Sequence, residues 1–166
     1  AYRWVMHSAV QRAQSIIAVS QFTADELTSV YGQAIAQKTQ VILEGVDDQF
    51  QPQSEQDQQA VCERYGIQQP FFLYVGNAKE HKNVQMLIDA YAQTSASDVS
   101  TASVSNALVL VTGGKEADRL QLVDGVQILS NVSDADLPAL YSAATAFVTA
   151  SHYEGFGLPV AEAQAC

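Results

Sequence analysis

Two glutamates, Glu154 and Glu162, bracket the run EGFGLPVAE near the end of the chain. Between them stand Gly155, Phe156, Gly157, Leu158 and Pro159. Proline suits the first position of a helix, where its missing N–H costs nothing, so residues 155–158 are expected as the entry loop. The amides of Gly155, Phe156 and Gly157, with the positive end of that helix, then make an anion site. The spacing predicts Glu162 in the first helical turn, where side chains lean back toward the N-terminus, and Glu154 on the other side of the loop. Carboxylates repel phosphate but accept hydrogen bonds from hydroxyls. The same residues also suit an ordinary tight loop, with Glu162 favoured only by the helix dipole.

A second cluster lies in VGNAKEHKN (75–83), where Gly76 permits a sharp turn and Lys79 and Lys82 precede an expected helix. A lysine beside a helix N-terminus can meet a phosphate, with backbone N–H groups assisting. A solvated surface loop is the alternative. TGGK (112–115) matches neither a dinucleotide-binding glycine pattern nor a phosphate-cradling Walker loop, which favours a simple turn. A ligand with phosphates at its centre and hydroxyls on both flanks, a nucleotide sugar, suits the EGFGLPVAE motif.

These residues need a scaffold that gathers strand ends. SIIAVS (15–20) is a β-branched run suited to a buried parallel strand. QFTADELTSVYG reads as a helix stopped by Gly32, with Thr23 and Glu26 as a capping box. TQVILEGVD (39–47) reads as a strand running into a glycine turn. Residues 49–59, polar and rich in Gln, read as a linker or surface loop. A second series follows: helix QQAVCERYG, strand FFLYVG (71–76), helix NVQMLIDAYAQT, a Ser/Thr/Ala-rich loop over 94–106, strand ALVLVTGG (107–114), a short helical piece, strand VQIL, helix ADLPALYSAA and strand AFVTAS. Strands alternating with helices imply right-handed crossovers around a parallel sheet, with ligands collected at its carboxyl edge. The fold class is therefore α/β, Rossmann-like, with residues 1–45 as the tail of one unit and 46–166 as a second.

The bulk properties narrow the partners. The chain has 166 residues, 48% of them hydrophobic, with eight basic and eighteen acidic residues for a net charge of −10. That balance argues against nucleic acid or an anionic membrane as main partner. Two distant cysteines, Cys62 and Cys166, suggest neither a disulfide framework nor a structural zinc site. No apolar run reaches bilayer-spanning length. An uncapped helix at the start and a helix still running at the end suggest an interior piece of a longer protein.

EGFGLPVAE resembles the Glu-x7-Glu motif of the group-one family of retaining glycosyltransferases with the GT-B fold. IIAVSQFTADEL, VILEGVD, LYVGNAKEHKNVQMLIDAY, LVLVTGG and VSDADLPALYSAATAFVTASHYEGFGLPVAEAQAC resemble that family's landmarks in the same order. YVG followed by KN and LIDAY also resembles the mannosyl- and glucosyl-transferring members. The resemblance implies two Rossmann-like domains, with 46–166 as the donor-binding domain and the active site in the cleft between them. It implies that Lys82 meets the donor phosphate and Gly76 belongs to the donor site, that the amides of Gly155, Phe156, Gly157 and Leu158 hold sugar and phosphate, that Glu162 meets the nucleotide ribose, and that Glu154 meets the transferred sugar as the catalytic carboxylate. The donor would be GDP- or UDP-linked and the acceptor a saccharide or lipid-linked sugar, with no metal and no separate cofactor. The setting implied is cytoplasmic, with peripheral membrane attachment through a domain outside this chain.

Some positions depart from the family pattern. Asn77 stands where many relatives have Arg, Glu44 where Asn is usual before GVD, and Ala150 where Pro is usual. The alternatives are a GT-B epimerase or phosphorylase and a non-catalytic nucleotide-sugar-binding module, the latter favoured by Asn77. Paired carboxylates also serve glycoside hydrolysis, but that chemistry needs no lysine and glycine loop.

Overall fold

The computed structural model describes residues 2–97 and 107–166. They divide into two compact units, Ala1–Gly45 with Glu154–Leu158, and Val46–Tyr153 with Pro159–Cys166. No described helix is long and apolar enough to cross a membrane.

In the first unit, helix α1 (Tyr2–Arg12) precedes strand β1 (Ile16–Ala18), helices α2 (Gln21–Tyr31) and α3 (Gln33–Ala36), and strand β2 (Thr39–Val41). The two strands pair in parallel, Ile16 opposite Thr39. Val10, Ala18, Ala24 and Ile35 are buried. The expectation of a buried β1 needs correction, because Ile17 is 64% exposed. Successive residues of a strand face opposite ways, and only the face of Ala18 is covered. The cap of α2 also differs from expectation. Ser20 caps it, its Oγ accepting the N–H of Thr23 at 3.1 Å, because the helix already begins at Gln21.

The second unit runs α4 (Glu55–Tyr65), β3 (Phe71–Val75), α5 (Val84–Ser97), β4 (Ala107–Val111), β5 (Val126–Leu129), α6 (Leu137–Ala143), β6 (Ala146–Phe147) and α7 (Leu158–Ala165). All four strands are parallel, in the order β5-β4-β3-β6. The α/β class and the parallel sheet flanked by helices agree with the sequence. Continuous apolar runs mark strands buried on both faces. Phe71, Leu73 and Val109 pack with Val61, Leu140 and Tyr141 on one side. Tyr74, Leu108 and Leu110 pack with Val84, Ile88 and Tyr91 on the other.

Three element boundaries differ from expectation. Helix α4 starts at Glu55, inside the stretch read as linker, because Ser54 caps it by accepting the N–H of Asp57 at 3.2 Å. Helix α5 runs to Ser97, so residues 94–97 are helical where a loop is expected, and Thr94 Oγ1 bonds back to the Tyr91 carbonyl at 2.8 Å. The rest of that expected loop, 98–106, lies outside the described residues. Strand β6 is two residues long where AFVTAS suggests more, although Val148 N–H still reaches Leu73 O at 2.8 Å.

Candidate functional site

The carboxyl end of β3 carries the first group of candidate residues. Gly76 N–H donates to the Val111 carbonyl at 3.0 Å, which ends the β3–β4 pairing. Its φ of +151° is one that side chains disfavour, and a Cβ there would stand 3.0 Å from the Tyr74 hydroxyl. That hydroxyl already donates to the Asn77 carbonyl at 2.8 Å, so glycine is required for the turn. Asn77 Oδ1 accepts the N–H of Lys79 at 3.2 Å, a local turn that Asn favours. A single 3₁₀ turn over Glu80–Lys82 follows. Asn83, at φ +52°, redirects the chain in a conformation Asn tolerates, and α5 begins at Val84.

Lys82 is therefore half-buried and separated only by Asn83 from the positive end of a 14-residue helix. A lysine and helix amides at one place are suited to a phosphate. The loop after β6 is joined to this one through His152 N–H and His81 O at 2.9 Å. TGGK forms a turn, Ala117 N–H reaching Gly114 O at 3.0 Å. Beside it, the Thr112 hydroxyl is buried with no hydrogen-bond partner among the described residues.

Helix α7 corrects the reading of Glu162. The helix starts at Leu158, one residue before the proline, so Glu162 falls beyond the first turn, which holds no acidic residue. Pro159 is tolerated because the first turn needs no donors. The helix-dipole explanation of Glu162 thus loses its basis, since that effect fades within one turn. What holds Glu162 is Tyr141 on α6, whose hydroxyl donates to Glu162 Oε2 at 2.8 Å.

Tyr141 is buried. Its ring packs edge-on to Phe50 at 5.9 Å and tilted against Phe147 at 5.8 Å. Burial, and then the hydrogen bond and charge of Glu162, push its phenol far above the ordinary tyrosine range. It therefore remains a donor at any pH near neutrality. Burial, followed by the same carboxylate, raises the Cys166 thiol as well. Both cysteines are free.

Gly76, Lys82 and Glu162 belong to the unit Val46–Tyr153 with Pro159–Cys166. Glu154, Gly155, Phe156, Gly157 and Leu158 belong to the other. Within that unit the Thr23 hydroxyl donates to the Gly155 carbonyl at 3.3 Å. Gly157 adopts φ +89° immediately before α7, a left-handed turn that requires glycine. Among the described residues no group of three or more His, Cys, Asp and Glu gathers as a metal would need. Tyr141 and His81 escape the sequence reading. The one signal for Tyr141 is that a tyrosine in a buried helix must find a partner for its hydroxyl.

Residues 57–166 match the family model described as glycosyl transferases group 1. The chain is 31% identical over 169 residues to the O-antigen chain mannosyltransferase B of Escherichia coli, an overlap covering 97% of this chain and 43% of that protein. It is 30% identical over 166 residues to the mannosylfructose-phosphate synthase of Agrobacterium fabrum, covering 90% and 35% respectively. A crystal structure of Anabaena HepE in complex with UDP matches with a TM-score of 0.72 at 26% identity, over 99% of this chain and 46% of that one. The chain thus spans less than half the length of these relatives.

Proposed function

The chain belongs to the group 1 glycosyl transferases and has the Rossmann-like parallel sheet of the GT-B fold, and from that premise we propose that the protein containing it transfers a hexosyl group, mannosyl or glucosyl, from a nucleotide sugar to a saccharide or lipid-linked acceptor with retained anomeric configuration. In that reaction the bond between the sugar's anomeric carbon and the diphosphate breaks, and the electron pair leaves with the diphosphate. The acceptor hydroxyl oxygen bonds to the anomeric carbon, and its proton passes to a diphosphate oxygen or to solvent.

The chemical demand is to stabilise the charge growing on the diphosphate, which positioned donors do most effectively. In this reading Lys82 and the amides of Gly155, Phe156, Gly157 and Leu158 supply them without a metal or separate cofactor. The turn at Gly76, whose own N–H is bonded to Val111, leads the chain from the end of β3 toward Lys82. Glu162 accepts from the ribose and Glu154 from the transferred sugar. The observation that carries the proposal is the position of Lys82 directly ahead of α5 at the carboxyl end of β3. The mannosyltransferase relative supports the sugar, and the UDP complex of HepE supports a nucleotide donor.

The test is to incubate the full-length protein with GDP-mannose, UDP-glucose and ADP-glucose and assay released nucleoside diphosphate with saccharide and lipid-linked acceptors. Release with one donor and an α-linked product supports transfer with retention from these α-linked donors. Donor binding without release under any acceptor supports a second reading, a binding module, which Asn77 favours because its side chain serves the loop at Lys79 and brings no second cation. Absence of donor binding overturns both.

A further inference from the structure

Glu162 is fixed by a residue that the proposed chemistry has not yet used. One of its carboxylate oxygens, Oε2, accepts the Tyr141 hydroxyl at 2.8 Å. A glutamate on a helix has three rotatable side-chain bonds, and freezing them on binding costs conformational entropy. Tyr141 is itself buried, 6% exposed and packed against Phe50 and Phe147, which restricts its ring. A rigid donor on α6 therefore selects one arrangement of the carboxylate on α7 before any ligand arrives. It takes up one oxygen and leaves Oε1 to accept from elsewhere. Helix position does not do this work, because Glu162 lies past the first turn of α7.

We propose that Tyr141 is a positioning residue for ribose recognition: its hydroxyl orients Glu162 so that the remaining carboxylate oxygen meets a ribose hydroxyl of the nucleotide. This rests on the reading of Glu162 as the ribose acceptor. A purely structural link between α6 and α7 would use the same hydrogen bond, so the test must read the ribose itself.

The probe is whichever of GDP, UDP or ADP binds the full-length protein most tightly, compared with its 2′,3′-dideoxy counterpart by calorimetry. The wild type should prefer the ribonucleotide. Tyr141→Phe keeps the ring between its aromatic neighbours and removes only the donor. It should weaken the ribonucleotide by roughly three- to tenfold, the scale of one hydrogen bond, and leave the dideoxy ligand unchanged. Equal weakening of both ligands, or undiminished preference for the ribonucleotide, overturns the role of Tyr141. If the wild type itself does not discriminate, the ribose reading of Glu162 fails first. Should Tyr141→Phe not fold, Tyr141→Met, which fills irregular apolar space without a donor, is measured against the same two ligands. Loss confined to the ribonucleotide supports the role of Tyr141, and equal loss for both ligands, or none, overturns it.

Discussion

The backbone N–H of His152 donates to the carbonyl of His81 at 2.9 Å, and the rings of His81 and Tyr153 lie 5.5 Å apart. The loop that follows β6 is thereby fastened to the loop that follows β3, at the residue next to Lys82. Strand ends that are adjacent in a parallel sheet, β3 beside β6, deliver their loops to one place. The lysine is held by neighbours on both sides, its own N–H bonded to the Lys79 carbonyl at 2.9 Å.

If that placement serves a diphosphate, Lys82→Ala in the full-length protein should weaken nucleoside-diphosphate binding by about 1.5–3 kcal/mol, the size of a hydrogen bond to a charged group. Binding of the bare nucleoside should change little. Calorimetry with both ligands checks it, and equal losses would show that Lys82 does not touch phosphate.

Thr112, at the end of β4, offers a test of a different kind. Its buried hydroxyl has no partner among the described residues, and leaving a polar group unpaired costs about 1–3 kcal/mol. Thr112→Val keeps the shape and removes that group, so the ligand-free protein should gain roughly 1 kcal/mol in denaturant unfolding. A loss of stability instead would mean that the hydroxyl is satisfied in solution.

The polar cluster at Asp136 makes a pH prediction. Burial pushes its carboxyl up, but hydrogen bonds from Tyr65, at 2.7 Å, and from Arg64, with the guanidinium charge, together hold it below the ordinary range. A depressed folded value means the stabilisation is present above the unfolded value, about 4, and is lost as pH falls through the folded one. Asp136→Asn should therefore melt lower than wild type near neutral pH, and the two curves should converge on acidification. A difference that persists unchanged in acid would show that the charge is irrelevant. Arg64 is largely exposed, so the effect should be modest.

Much of this was legible in the residues. Runs such as FFLYV and ALVLV announce strands buried on both faces, and their alternation with helices leaves few arrangements besides a parallel sheet. Gly76 and Gly157 stand where the backbone turns at positive φ, as their places at element ends suggest. Local boundaries were harder. Ser20 and Thr23 are both competent caps, and only the start of α2 at Gln21 decides between them. The Gln-rich stretch hides the start of α4 because Gln suits helix and linker alike. The Tyr141–Glu162 hydrogen bond was out of reach for another reason. It joins residues on separate helices, 21 positions apart, and no periodicity encodes such a meeting.

The two glutamates around the glycine turn supply the final prediction. Glu154 belongs to one compact unit and Glu162 to the other, and the proposed function gives each its own part of the ligand. Glu162, held by Tyr141, should serve the ribose, which every nucleotide carries. Glu154 should serve the transferred sugar, which only the donor carries. Glu162→Gln keeps the shape and replaces a charged acceptor with a neutral amide, so affinity should fall for nucleoside diphosphate and nucleotide sugar alike, by about 1–2 kcal/mol. Glu154→Gln should leave the free nucleoside diphosphate bound as before and lower kcat with the nucleotide sugar. Calorimetry and product release on the full-length protein separate the cases. Equal weakening of the free nucleotide by both changes would disprove the division. If neither change affects binding or turnover, neither glutamate meets the ligand, and Glu162 serves only to join α7 to Tyr141 on α6.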